Sequence, residues 1–264
     1  MVGFIGCGNM ASAIIGGILN SGFLDSASLG VYDICKEKAK SFASEKGIKI
    51  FSDEKELCES CSTVVLAVKP DGFPALLKDI GECLEKNDPL IISVAAGKTT
   101  EFISSLLPYT PRVIRIMPNI NARVCAAISA YCGNSRISDE DYSFVQGFCD
   151  SFGKGINIEE KLFSAYSAIG GCSPAFAYMF IDSLARGAVK NGMPRKAALE
   201  VAAQAVLGSA KMILESNSHP WELVDAVCSP GGTTIEGVAS LQNDGFEASV
   251  ISAVEASYNK DKRL

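Results

Sequence analysis

The chain holds a single histidine, His219, among its 264 residues. One imidazole excludes a multi-histidine metal centre or a metalloprotease site within one chain, and no metal is expected. Clustered basic residues are also missing. Lys and Arg total 24 against 30 Asp and Glu, a net charge of −6, whereas neutralising a nucleic-acid backbone needs a basic face. Nucleic acid is therefore excluded as a partner. No cation precedes Lys36, and the apolar opening stretch is broken by Gly3, Gly6, Gly8, Gly16 and Gly17. A targeting segment, which needs a positive start, is not expected there. Residues 162–181 carry no charge, but their serines, glycines and Pro174 favour a buried helical segment over a membrane span. Cys58 and Cys61 form a Cys-x-x-Cys with no second pair and no histidine nearby, so two ordinary thiols near a helix end are expected rather than a zinc site. Several of the ten cysteines sit in apolar runs, as reduced thiols do when used as small hydrophobes. A reducing cytoplasm is the expected compartment. Internal repeats, low-complexity tracts and long linkers are absent.

What is present points to a folded chain of two parts. Apolar residues make up 48% of the sequence, enough for a substantial core. Val2–Ile5, Leu29–Tyr32, Thr63–Val68, Leu90–Val94 and Val113–Met117 are short apolar runs of the kind that parallel strands need when covered on both faces. Helical patterns separate them, at about 9–21, 36–46, 53–60, 72–85 and 99–107. The alternation predicts βαβ units and a doubly wound parallel sheet, an α/β fold. Cys125–Cys132 is expected to add a strand, and about 139–151 a helix opened by Ser138-Asp139-Glu140-Asp141. From residue 158 onward no strand-like run occurs. Helices are expected at about 159–169, 174–191, 195–216, 219–227, 232–242 and 246–259, which divides the chain into an N-terminal domain of 1–158 and an all-α domain of 159–264. Between 162 and 210 the only charges are Asp182, Arg186, Lys190, Arg195, Lys196 and Glu200. Helices this apolar need burial on more than one face, which predicts a homodimer through the C-terminal helices.

Gly6-Cys7-Gly8-Asn9-Met10-Ala11 follows the first strand and opens a helix. This is the Gly-x-Gly-x-x-Ala form of the dinucleotide fingerprint: a tight turn, a backbone that can approach a pyrophosphate, and a small residue for close helix packing. Gly6, Gly8, Asn9 and Met10 are accordingly expected to bind the cofactor. Asp33, ending the second strand, stands where a carboxylate bonds the ribose 2′-hydroxyl of NAD and repels the 2′-phosphate of NADP. No arginine follows it, although Lys36 is near, so the reading leans to NADH over NADPH. Ala67, Lys69 and Pro70, past the third strand, and Ala95, Ala96 and Gly97, past the next, lie at the strand ends that face a ligand crevice. Lys69 reads equally well as a surface lysine. In the second domain, Ser229-Pro230-Gly231-Gly232-Thr233-Thr234 puts two glycines before two hydroxyls at a helix start. Its amides could receive a carboxylate, or the segment could be a simple cap; the residues alone do not separate these.

At this point the sequence resembles the pyrroline-5-carboxylate reductase family. The resemblance is carried by Gly6–Ala11, Ala67–Pro70, Arg115-Ile116-Met117-Pro118-Asn119, Pro174-Ala175, Gly208, His219-Pro220 and Ser229–Thr234. It implies a Rossmann domain followed by a helical dimerisation domain, and hydride transfer from NAD(P)H to the C=N bond of Δ1-pyrroline-5-carboxylate, giving L-proline in proline biosynthesis. It implies Asn119 in the cofactor set, and Thr234 as the hydroxyl set against the imine nitrogen. Ser229 and the amides of Gly232 and Thr233 would hold the substrate carboxylate, with Gly231 in the same substrate-binding set, in a cleft completed by a partner chain. A higher oligomer is compatible with it. Three places depart from the family pattern: Gly170-Gly171-Cys172-Ser173-Pro174-Ala175-Phe176 stands for Ser-Gly-Ser-Gly-Pro-Ala-Tyr, Ile120-Asn121 for Thr-Pro, and Glu54 for an asparagine. They motivate one alternative, a cofactor-binding homologue with altered or lost activity. A β-hydroxyacid dehydrogenase is the other, but it needs a lysine on the first long helix of the second domain, and residues 174–181 have none. His219 is read as a structural residue at a helix start.

Overall fold

A computed structural model describes residues 1–263. The chain forms two compact units, Met1–Gly171 joined by the residues from Asp261, and Cys172–Lys260. The first unit therefore continues past residue 158. Phe163 and Tyr166 are buried against Ala130 and Cys132 of the sheet, and Tyr166 Oη donates to Ile128 O at 2.7 Å.

The first unit is built on an eight-stranded sheet: β1 (Val2–Ile5), β2 (Leu29–Tyr32), β3 (Lys49–Ile50), β4 (Thr63–Leu66), β5 (Leu90–Ser93), β6 (Arg112–Met117), β7 (Ala127–Gly133) and β8 (Gly153–Asn157). Their spatial order is β3-β2-β1-β4-β5-β6-β7-β8. All neighbours are parallel except β6 and β7. The exception follows from connection length. A parallel return needs a long crossover, usually through a helix, and only a short 3₁₀ segment, Ile120–Val124, lies between β6 and β7. The helices of this unit are α1 (Asn9–Ser21), α2 (Lys36–Lys46), α3 (Glu54–Ser60), α4 (Phe73–Asn87), α5 (Thr100–Ser105), α6 (Asp139–Asp150) and the short α7 (Phe163–Tyr166).

Alternate residues of each strand point to opposite faces, and the two faces are covered by different helices. Phe4, Val65, Ile92 and Ile114 pack with Ile14, Ile15 and Ile18 of α1 and Phe148 of α6. Ile5, Val64, Leu66 and Ile91 pack with Leu57 of α3, Phe73, Leu77 and Ile80 of α4, and Ile103 of α5. This two-sided burial is why β1, β2, β4 and β5 are mostly apolar. The runs Thr63–Val68 and Cys125–Cys132, expected as strands, are shorter in the structure: β4 ends at Leu66 and β7 begins at Ala127. The chain leaves the ladder after Ala67 N donates to Ile5 O, and Cys125 closes the 3₁₀ segment with φ +53°. The expected helix at 159–169 is broken into a 3₁₀ turn (Glu160–Leu162), α7 and a π-turn over Ser167–Gly171.

The second unit is helical: α8 (Ser173–Lys190), α9 (Arg195–Glu215), α10 (Pro220–Val227), α11 (Thr233–Asn243) and α12 (Phe246–Asp261), whose last residue belongs to the first unit. Ala185 of α8 packs on Ala198 and Ala202 of α9, small residues that let the two helices approach. Asp182 accepts from Arg186 within α8 and from Arg195 across the pair. Among the described residues, α9 alone is long and apolar enough to cross a membrane by length and composition, and 11% of that stretch is buried.

Candidate active site

The glycine loop between β1 and α1 is shaped by two constraints. Gly6 has φ +101°, and a Cβ there would stand 2.7 Å from Ala67 O; only glycine meets both demands. Gly8 is the N-cap of α1, with no side chain bonding the helix's first amides and no acidic residue in its first turn. A Cβ built on Gly8 would enter open space. The approach to the positive end of α1 is therefore clear, and its amides are free for an anion. Asn9 is exposed and Met10 partly so, while Ala11 is buried beneath.

Asp33 sits beside this loop and is pinned to it. Its Oδ2 accepts from Cys7 N at 2.8 Å and from Cys7 Sγ at 3.3 Å, and Oδ1 accepts from Cys35 N at 2.9 Å. Burial pushes the carboxyl up, but these donors outweigh it and hold it below the ordinary carboxylate range. The same surroundings, burial first and then Asp33, push the Cys7 thiol up to about 11, so it remains a neutral donor. Three donors still leave the carboxylate capacity to accept another hydrogen bond. A cleft of about 310 Å³ opens next to it, bordered by Tyr32, Lys36, Phe51 and Glu56.

The remaining expected cofactor residues lie past the carboxyl ends of β4, β5 and β6, where parallel α/β sheets bind ligands. Ala67 and Pro70 are half-buried and Lys69 is exposed; Lys69 caps the 3₁₀ turn Pro70–Gly72 through its backbone. Ala95 is buried, and Ala96 and Gly97 are exposed, with Gly97 at φ +72°. Asn119 is different: its side chain turns inward, with Nδ2 donating to Gly170 O at 2.8 Å and Oδ1 accepting from Asn121 N at 3.2 Å.

In the second unit, Ser229–Thr234 forms a tight turn into α11. Gly231 has φ +67°. Gly232 is the N-cap, without a side-chain cap bond, and a Cβ on it would collide with Ser229 Oγ. Gly232 N donates to Ser229 O at 3.0 Å, so this amide is already committed. Of the two amides the resemblance assigns to a carboxylate, that of Thr233 has no backbone partner among the described residues. Ser229 and Thr233 are exposed and Thr234 is half-buried. His219 caps α10: Nδ1 accepts from Trp221 N at 3.3 Å, and Glu222 Oε2 accepts from His219 N at 3.0 Å. One further group near the β5 loop has no sequence signature. Glu160 reaches Thr100 and Arg115, which are far from it in the chain.

A clear helix N-terminus behind a glycine loop, on a mainly parallel sheet, fits a dinucleotide, and with a helical second unit it defines a nicotinamide-dependent oxidoreductase. The comparisons agree. Residues 160–264 match the family described as pyrroline-5-carboxylate reductase dimerisation, and residues 1–97 match the family described as NADP oxidoreductase, coenzyme F420-dependent. The pyrroline-5-carboxylate reductase of Escherichia coli strain K12 is 39% identical over 263 residues, covering 100% of this chain and 97% of that protein. The Methanosarcina acetivorans reductase is 35% identical with the same coverage. The crystal structure of Plasmodium falciparum pyrroline carboxylate reductase with NADP bound has a TM-score of 0.87 at 32% identity, covering 99% of this chain and 97% of that one. The chain belongs to the pyrroline-5-carboxylate reductase family.

Proposed function

We infer that this chain reduces Δ1-pyrroline-5-carboxylate to L-proline. The observation that carries the reading is the turn into α11. A left-handed glycine and a bare N-cap leave the Thr233 amide free beside the Ser229 and Thr234 hydroxyls, in a chain that reductases of this name match from end to end. When bound, the nicotinamide supplies the hydride that the imine carbon accepts. Gly6, Gly8, Asn9 and Met10 hold the pyrophosphate at the N-terminus of α1, and Ala67, Lys69 and Pro70 close one side of the crevice. Ala95, Ala96 and Gly97 offer a flat surface to the ring, and Asn119 braces the far side through its backbone, since its amide is engaged with Gly170.

The α11 turn handles the substrate. Ser229 Oγ and the Thr233 amide bind the carboxylate, aided by the helix dipole. Gly231 and Gly232 keep the backbone low enough for the acid to approach. Thr234 Oγ1 donates to the ring nitrogen and steadies its charge as the C=N bond is reduced. As hydride adds to the imine carbon, the neutral nitrogen takes up the proton that the Thr234 hydroxyl offers and that solvent replaces, and orientation supplies much of the rate.

For the nucleotide, an ionised Asp33 at the ribose favours NADH and repels a 2′-phosphate. The adenosine would occupy the cleft beside Asp33 and Tyr32. The chain works as a homodimer through the apolar faces of its C-terminal helices, and pairs of dimers are compatible with it. Proline formation from pyrroline-5-carboxylate, followed with NADH and with NADPH in parallel, tests the reading. Turnover is expected with both and faster with NADH at low concentration. Nucleotide binding without proline formation would reject it.

A further inference from the structure

The loop Val94–Lys98, on which the reading above places the nicotinamide, is held at both ends. At its start Val94 N donates to Leu66 O at 3.2 Å, and Ala95 N donates to Ser93 Oγ at 3.4 Å. At its end the first residue of α5, Thr100, gives both its polar hydrogens to one carboxylate. Thr100 N donates to Glu160 Oε1 and Thr100 Oγ1 to Glu160 Oε2, each at 2.9 Å. Glu160 is in turn held by Arg115 of β6, whose Nη1 donates to Oε1 at 3.3 Å. The Arg115 guanidinium lies 4.3 Å over the Phe163 ring, and the side chain is 8% exposed. Its Nε is buried without a partner. An ion pair that leaves one buried donor unmade is a costly way to gain stability alone, since apolar packing would serve as well. What it achieves is a rigid link from the interior strand β6, through Glu160, to the first residue of α5, just past the loop.

We propose that Glu160 is a positioning residue for the nicotinamide: with Arg115 behind it, it fixes Thr100 and so the height of the Ala95–Gly97 loop. Glu160 touches none of the residues assigned to the nucleotide; it acts through Thr100. The proposal rests on the reductase reading for its kinetic consequences, but nucleotide binding tests it without that reading.

Full-length Glu160→Ala and Glu160→Gln are compared with the parent protein. Dissociation constants for NADH and NADPH come from fluorescence titration, and Michaelis constants and the primary isotope effect come from 4-deuterated nucleotide. Glu160→Gln still offers an oxygen to the Thr100 amide and should stay close to the parent. Glu160→Ala should weaken nucleotide binding about tenfold through loss of a hydrogen bond to a charged group. It should also lower kcat by up to ~10²-fold, as small misplacements of a reacting ring do. The isotope effect should rise, and the Michaelis constant for the imine should change little. Arg112→Met, which breaks the separate Arg112–Asp141 pair at 2.7 Å, is the structural control and should lower Tm without moving either nucleotide constant. If Glu160→Ala does not fold, Thr100→Val, which removes only the hydroxyl donor, should weaken binding about threefold by loss of one neutral hydrogen bond. A Glu160→Ala protein, or failing that a Thr100→Val protein, that behaves like Arg112→Met overturns the proposal. If the parent makes no proline, the reductase reading fails, while the titrations still decide whether Glu160 governs nucleotide binding.

Discussion

In the first unit Phe4, Ile14, Phe148 and Phe152 are 0% exposed; in the second, Met179, Leu207 and Leu214 are 72%, 61% and 80% exposed. The two regions are similarly rich in apolar residues, yet only one hides them within the chain. Besides Pro174, the buried side chains of α8 and α9 are three alanines, too little apolar area to hold five helices by themselves. The lesson is that the first unit is written for its own interior, whereas the second is written for a surface another molecule must cover. That agrees with residues 160–264 matching a dimerisation family.

Breaking this contrast directly gives the largest effect. Phe148→Ala removes a ring that touches Phe4, Phe144 and Phe152 and should cost about 3–5 kcal/mol of unfolding free energy. Leu214→Ala should cost under ~0.5 kcal/mol in the same urea titration if that side chain stays in solvent. A larger loss for Leu214→Ala, together with weakened self-association in light scattering, would show that a partner covers it. The contrast sharpens at the α11 turn. Thr234→Ala should lower kcat by ~10²-fold through loss of one oriented donor, with Tm within a degree or two, because the surrounding segment is exposed. An unchanged rate would remove Thr234 from the chemistry. Asp33, inside the framework of the first unit, should behave in the opposite manner and touch function and stability together. Asp33→Ala should shift the NADH-to-NADPH preference about tenfold toward NADPH, roughly the 1.4 kcal/mol of one lost charge interaction, as read from the two Michaelis constants.

The smallest effect is a pH signature of the same carboxylate. The folded pKa of Asp33 is depressed, so its contribution to stability is present above the unfolded value of about 3.9. It fades as pH falls through the lower folded value. The Tm advantage of the parent protein over Asp33→Asn should therefore be steady above about pH 5 and shrink toward pH 3. An advantage that grows on acidification would contradict the hydrogen-bond assignment.

Legibility followed burial. β1, β2 and β5 are legible because each strand is covered on both faces and so is apolar along most of its length. β3 is a two-residue strand whose residues are both exposed, and it leaves no pattern. β8 was hidden for another reason: Gly153 and Gly155 lie in it because a Cβ on Gly153 would collide with the Ala127 backbone and one on Gly155 with Cys149. Glycine in a strand reads as a loop until its neighbour is known. At the candidate site, the Gly6–Ala11 loop is legible because its glycine spacing lies within six consecutive residues, although Ala67 and Asp33 also shape it. The inward turn of Asn119 and the Glu160 link join positions separated by 51 and 60 residues, and no window along the chain contains both ends.

The missing side chain of Gly232 is where Ser229 Oγ rests. Any enlargement at that position would push the serine hydroxyl off its perch before it touched a substrate. On the role proposed for Ser229, a redesign for bulkier rings keeps glycine at position 232 and carves room elsewhere, since the smallest enlargement there displaces the proposed anchor instead of reshaping its surroundings.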